Sequence, residues 1–339
     1  MFLRYRELGK TKLRVSEIGF GCGNVGGLMV RGTFTEQVKA VSRAIDAGIN
    51  YYDTAPRYGD GASETNLGKV MKELQPKNVI VATKVGLRHE DLQDIRGAIQ
   101  KSLKDSLSRL NRDSIDVFLL HAQVTQVRGR GHRETLGLND VLGPEGVADV
   151  LDEARSNGLI DFSGLTGLGE TEALHQIVAS QRFDVIQIYY NLLNPTAGIP
   201  VSNGFVGKDF RLLIEKASKQ KMGVAAIRVL AGGALGGETA RQGYASSIPG
   251  PLIEGSDYKA DADRAEKLRF LIAGEIRSLP EAAIKFALMN EDVSTALVGF
   301  SNLSQIEDAV RCSVTNPFPK DWMKRLQELW ATDFERNIR

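Results

Sequence analysis

Residues 79–121 open with Val79-Ile80-Val81-Ala82-Thr83-Lys84 and close with Ile115-Asp116-Val117-Phe118-Leu119-Leu120-His121; between them Ile95, Ile99, Leu103, Leu107 and Leu110 recur at helical spacing. This is a strand, a helix and a strand. The apolar runs are continuous rather than alternating, the pattern of strands covered on both faces, as in a parallel sheet. The same unit recurs on either side. Residues 18–21 read as a strand, followed by a helix from about Thr35, its expected N-cap, with Val38, Val41 and Ile45 on one face and Gly48 at its end. Residues 49–52 precede a helix over 63–74, and residues 160–166, 185–188, 224–227 and 296–298 supply further strands separated by helical periodicity. About eight strands and eight helices in strict succession predict one (β/α)8 TIM barrel over residues 1–339, with an open doubly wound sheet as the second choice.

Outside that rhythm, residues 2–15 read as an N-terminal β-hairpin turning at Gly9-Lys10, a lid on one end of the barrel. Two stretches rich in turn formers, 122–143 after strand four and 231–262 after strand seven, are expected to be long loops overhanging the C-terminal face, where barrel loops carry function. The tail over 319–339 places Trp322, Leu326, Leu329 and Trp330 in helical spacing, a helix packed on the outside.

The chain's 339 residues carry 43 Lys+Arg against 42 Asp+Glu, a net charge of +1, which argues against a nucleic-acid partner because backbone binding needs a concentrated basic excess. Cys22 and Cys312 stand far apart and in no metal-ligand spacing, so no disulfide framework or metal site is expected, and a reducing, cytoplasmic setting fits. Charges at Arg4 and Arg6 interrupt what a signal peptide would need, and no apolar run approaches the ~18 residues of a membrane span.

A dinucleotide fingerprint, Gly21-x-Gly23-x-x-Gly26 with Asp46 some way on, is formally present. A Rossmann fingerprint must open its helix so that the terminal amides face the pyrophosphate. Here residues 29–34 intervene before helical periodicity begins, so a glycine loop at the barrel mouth is the better reading. Polar residues at the ends of three successive strands carry more weight: Asp53 with Tyr58 five positions later, Lys84, and His121. Strand ends of a barrel converge on one mouth. A tyrosine, with its ordinary pKa of ~10, is a poor acid or base at neutral pH; an ammonium beside it stabilises the phenolate, a carboxylate keeps that ammonium charged, and a histidine can donate to a substrate oxygen. Singly, each residue also has a structural reading as a cap, a solvated strand end, a packed aromatic or a satisfied histidine.

Taken in order, Asn50-Tyr51-Tyr52-Asp53-Thr54-Ala55-Pro56-Arg57-Tyr58-Gly59, Ala82-Thr83-Lys84, and Ser106-Leu107-Ser108-Arg109-Leu110 through His121 resemble the aldo-keto reductase superfamily, a likeness running from about residue 3 to 311. The resemblance implies a single barrel that binds a nicotinamide cofactor without a Rossmann domain, with Tyr58 as general acid supported by Lys84, Asp53 and His121. By the same resemblance Gln187 lies beneath the carboxamide and Thr166 keeps one hydroxyl of the usual carboxamide pair; Gly21, Cys22 and Gly23, in the glycine loop at the mouth, are expected to contact the cofactor as well. Leu230 and Gly232 wrap the pyrophosphate, while Gly299, Ser301, Gln305 and Asp308 belong to the adenosine segment. Ile227-Arg228 replaces a common Tyr-Ser pair, which turns Arg228 into a phosphate contact. Neither Ser301 nor Asn302 is the cation often found for a 2′-phosphate, although Arg228 or Arg311 could substitute.

The resemblance implies an NAD(P)(H)-dependent oxidoreductase moving hydride to or from an aldehyde, ketone or sugar, with NADP(H) narrowly ahead of NAD(H). The alternatives are an NAD-linked aldose 1-dehydrogenase, a regulatory binding protein like the channel β subunits of this superfamily, and a Schiff-base lyase using Lys84 as nucleophile. Arg128 and Arg130, with His132 and Arg133 in the same basic loop, are expected either to face water or to clamp a polar substrate.

Overall fold

A computed structural model describes residues 3–130, 135–237, 243–246, 250, 256–313 and 316–335. The chain opens on an antiparallel hairpin of β1 (Tyr5–Glu7) and β2 (Arg14–Ser16), Tyr5 opposite Ser16. Eight parallel strands then close on themselves: β3 (Ile18–Gly21), β4 (Tyr51–Asp53), β5 (Ile80–Val85), β6 (Ile115–Leu120), β9 (Ile160–Thr166), β11 (Val185–Tyr189), β12 (Gly223–Ile227) and β13 (Thr295–Gly299). Pairing of β13 back onto β3 completes the barrel and excludes the open sheet. Three further strands outside that ring, β7 (Gln123–Thr125), β8 (Leu136–Gly137) and β10 (Leu168–Gly169), form a small parallel sheet of their own.

One helix follows each barrel strand: α2 (Phe34–Asp46), α3 (Ala62–Leu74), α4 (Ile95–Leu110), α6 (Val147–Ser156), α7 (Thr171–Ala179), α8 (Leu213–Lys219), α10 (Leu279–Met289) and α11 (Leu303–Val310). Four more stand outside the repeat, α1 (Leu28–Arg31), α5 (Leu138–Leu142), α9 (Tyr258–Glu266) and α12 (Lys320–Ala331). Three expectations need correction. The cap of α2 is Thr33, not Thr35, because Thr33 and Glu36 exchange the reciprocal bonds of a capping box. The glycine loop leads into the single turn of α1 sooner than periodicity indicates, since four residues are too few to show a period. The stretch 122–143 is not a plain loop, for it holds β7, β8 and α5.

Strand alternation sorts the core into two shells. Ile18, Phe20, Tyr52, Val81, Phe118 and Leu120 point outward to the helices, while Tyr51, Ala82, Val117, Leu119, Val185, Ala225 and Leu297 fill the interior. The hairpin plugs the bottom of that interior: Leu8 is fully buried there, and Gly9, at φ +54, bridges Met222, where a Cβ would fall 2.2 Å from the Gly223 nitrogen. At the other end α12 is held by Trp330, whose Nε1 donates to the Leu192 carbonyl at 2.8 Å.

Candidate active site

The inward parity of each strand continues past the apolar core into a polar mouth. Two residues beyond Tyr51 is Asp53, beyond Ala82 is Lys84, beyond Leu119 is His121, beyond Val185 is Gln187 and then Tyr189. Tyr58 joins them from the turn after β4, where its amide donates to the Ala55 carbonyl at 3.1 Å. The Lys84 ammonium, fully buried, donates to Asp53 Oδ2 at 2.7 Å, to the Thr54 carbonyl at 2.7 Å and to Tyr58 Oη at 3.3 Å. Gln187 donates to the other carboxylate oxygen of Asp53. The Tyr58 and His121 rings meet edge to face with centroids 6.0 Å apart, and His121 Nδ1 is buried without a hydrogen-bond partner among the described residues. Behind them Glu64, fully buried, accepts from Thr83 and Arg109 and so ties α3 to β5 and α4.

Burial and charge set the protonation states. Burial works against the Lys84 charge, but the attraction and hydrogen bonds of Asp53 and Tyr58 outweigh it and raise its pKa. For Tyr58, burial raises the pKa and Lys84 opposes the rise without reversing it, so the group is a neutral phenol where the sequence alone points to a stabilised phenolate. Burial, then the charges of Lys84 and Arg57, push His121 down to about 3, leaving a neutral imidazole.

These groups stand at one end of a cleft of about 900 Å³, at the upper end of the range usual for ligand sites. Gly21, Gly23, Thr166, Gln187, Arg228, Leu230 and Gly232 line it, and Gly299, Ser301, Gln305 and Asp308 line its far end. Thr166 Oγ1 donates to the Leu120 carbonyl at 3.1 Å. Cys22 does not line the cleft: its side chain is buried, its amide donates to the Asp53 carbonyl at 2.8 Å, and burial raises its thiol pKa. Arg228 sets its guanidinium 5.7 Å from the centre of the Tyr189 ring and donates to the Gly250 carbonyl at 3.2 Å. Gln305 accepts from both the amide and the hydroxyl of Ser301, and Asp308 pairs with Arg311.

The two loop arginines are not brought to the cleft. Arg128 forks onto Asp140, Nε to Oδ2 at 2.9 Å, and Arg130 is exposed, its carbonyl accepting from Thr135. His132 and Arg133 lie outside the described residues. Conversely, Tyr189, Asn24 and Arg277 line the cleft without having been singled out. Tyr189 had a signal, since it lies two positions past Gln187 on one strand; Arg277 had none, because it reaches the cleft from ahead of α10.

The aldo/keto reductase family model matches residues 17–331. Among curated proteins, L-galactose dehydrogenase of Arabidopsis thaliana is 28% identical, over 91% of this chain and 87% of its own. An aldo-keto reductase from Bacillus halodurans in its holo form superposes with a TM-score of 0.71 at 24% identity, covering 96% of each chain. One from Klebsiella pneumoniae, solved in complex with NADP and acetate, gives 0.66 at 18%, covering 97% of this chain and 96% of that one.

Proposed function

The chain belongs to the aldo/keto reductase family of oxidoreductases, and from that premise we propose that it moves hydride between a nicotinamide dinucleotide and the carbonyl or carbinol carbon of a small aldehyde, ketone or sugar. The observation that carries this is the contact of one buried ammonium, Lys84, with both Asp53 and Tyr58. The cleft fits such a cofactor, being long enough to run from Gln187 to Ser301 and carrying Arg228 and Arg311 along its wall. Thr166 and Gln187 would hold the carboxamide end, Arg228, Leu230 and Gly232 the phosphates, and Gly299, Ser301 and Gln305 the adenosine end. Bound there, the cofactor supplies or accepts hydride, and the rest of the chemistry belongs to the protein. In reduction Tyr58 gives its phenolic proton to the carbonyl oxygen, Lys84 steadies the phenolate left behind, Asp53 keeps Lys84 charged, and neutral His121 donates to the same oxygen. Oxidation runs these proton steps backwards. A lysine held charged in this way is a poor Schiff-base nucleophile, which argues against the lyase alternative.

We put NADP(H) slightly ahead of NAD(H), with Arg311, which lines the same cleft as Ser301 and pairs with Asp308, as a cation for the 2′-phosphate that Ser301 does not supply. The likeness to L-galactose dehydrogenase favours an aldose oxidised at its anomeric carbon as the second reading. Cys22 and Cys312 are both buried and free, in keeping with a cytoplasmic setting, and among the described residues no helix is long and apolar enough to cross a membrane. The test is a screen of aldehydes and sugars with both cofactors in both directions, followed as absorbance of the reduced nicotinamide, repeated with Tyr58→Phe. Turnover should fall ~10²-fold or more in that variant while cofactor binding persists; near-normal turnover would falsify the role given to Tyr58.

A further inference from the structure

Arg57 immediately precedes Tyr58 in the turn after β4 and is exposed at the mouth of the barrel. Its guanidinium lies over Gly86 at the end of β5, where a Cβ would fall 2.6 Å from Nε and 2.8 Å from one terminal nitrogen, so the absence of a side chain at 86 makes the seat. From there its charge reaches His121, acting with burial and Lys84 to keep the imidazole neutral. Among the described residues no carboxylate comes within ion-pair distance of Arg57, and Asp53, the acid beside Lys84, is already taken by Lys84 and Gln187. Arg109 and Arg128, by contrast, are held by Glu64 and Asp140, whereas Arg228 and Arg277, which line the cleft itself, share with Arg57 the lack of an ion pair among the described residues. The mouth on the Tyr58 side therefore holds two cations against one committed anion, a local field that attracts negative charge.

Arg57 is not among the residues that line the cleft, but it adjoins Tyr58 and its charge is felt at His121, which do line it, so a substrate whose reacting oxygen lies between those two and whose chain leads out past the imidazole would meet this guanidinium. A free guanidinium fork there matches a carboxylate or phosphate, two oxygens at a time. We propose that Arg57 is the residue that recognises an oxyanion on the substrate, and that the substrates of this enzyme are carbonyl compounds, or the corresponding alcohols, carrying a carboxylate or phosphate remote from the reacting carbon. This rests on the hydride-transfer reading above and narrows its substrate class.

The test uses two matched pairs, 4-formylbenzoate against its methyl ester and glyceraldehyde 3-phosphate against glyceraldehyde, with the wild type, Arg57→Gln and Arg57→Lys at low and high salt. The wild type should show the lower KM for the charged member of at least one pair, with a preference that narrows as salt screens it. In Arg57→Gln the KM of that member should rise ~10-fold or more with kcat far less affected, and Arg57→Lys should recover part of the difference. The pair that responds identifies the anion. Equal KM within both pairs in the wild type, or an equal loss for charged and neutral members in Arg57→Gln, overturns the assignment. A second arm needs no turnover: calorimetric titration of benzoate and of inorganic phosphate into the cofactor-loaded protein should give weaker binding of one of them in Arg57→Gln. If every carbonyl proves inert with either cofactor, the hydride-transfer reading fails, and this binding arm alone then decides for or against the oxyanion site.

Discussion

Gln187 on β11 donates its amide to Asp53 on β4, across the mouth of the barrel, while Lys84 takes the opposite oxygen of the same carboxylate. One carboxylate thus joins the strand end expected to hold a carboxamide to the strand ends expected to move a proton. On the proposed function, cofactor seating and proton transfer are coupled through it. Gln187→Leu removes one of the donors on a buried anion and should weaken cofactor binding and turnover together, each by ~10-fold, the cost of a charge-assisted hydrogen bond. Fluorescence titration of the cofactor beside steady-state kinetics reads both; a loss confined to binding would show that Asp53 does not feel its partner.

Lys84 opposes the rise that burial imposes on the Tyr58 pKa. Replacing it by Met removes that opposition, so the phenol should become harder to ionise. Alcohol oxidation, which needs the phenolate, should then shift its residual activity to higher pH. The same change strands Asp53 without its cation in a buried site, which typically costs ~3–5 kcal/mol; adding Asp53→Asn should restore thermal stability without restoring activity. An unshifted pH profile for oxidation in Lys84→Met would contradict the tuning role.

His121 offers a check on protonation by stability rather than rate. Its pKa is about 3 in the fold against ~6.5 in an unfolded chain, so as pH falls the unfolded state takes up the proton first. The stabilisation from the neutral ring is complete above pH ~6.5 and is lost progressively down to pH ~3, by at most ~1.4 kcal/mol per pH unit. His121→Asn should therefore lose less Tm than the wild type between pH 7.5 and pH 5. Parallel melting curves for the two proteins across that range would mean that the imidazole takes up its proton in the fold as readily as in the unfolded chain.

Much of this was legible because barrel strands advertise themselves. Runs such as Val117-Phe118-Leu119-Leu120 are apolar on both faces, and the residue that follows each run falls at the mouth by parity, which places Asp53, Lys84 and His121 before any contact is known. The features that escaped depend on partners remote in sequence or on elements too short to have a period. In the small sheet β10 pairs with β7 from more than forty residues away, and α1 is a single turn. Arg277 approaches the cleft from a loop whose position is fixed by α10, not by its neighbours in sequence. The rise in the Tyr58 pKa needed the burial to be seen, since the neighbouring lysine alone implies the opposite sign.

Arg128 gives the sharpest difference between a basic loop on paper and in the fold. Its guanidinium engages both oxygens of Asp140, a buried carboxylate that also accepts from the Gly137 amide at 2.8 Å and so closes the first turn of α5. Burial alone would raise the Asp140 pKa, but the hydrogen bonds from Arg128 and Gly137 outweigh it and hold the carboxyl below its usual range. The arginine is thus the main support of a buried charge. Arg128→Ala leaves that charge with a single backbone donor and should cost ~1–3 kcal/mol, the penalty for a buried acceptor losing its partner. Asp140→Asn should cost a similar amount, and the double variant less than the sum of the two. Substrate recognition should be indifferent to these changes, with KM for charged and neutral carbonyl compounds moving together if it moves at all. Thermal melts and paired kinetics distinguish the cases: a KM rise confined to the charged substrate, with Tm unchanged, would return Arg128 to the substrate and leave Asp140 needing another partner.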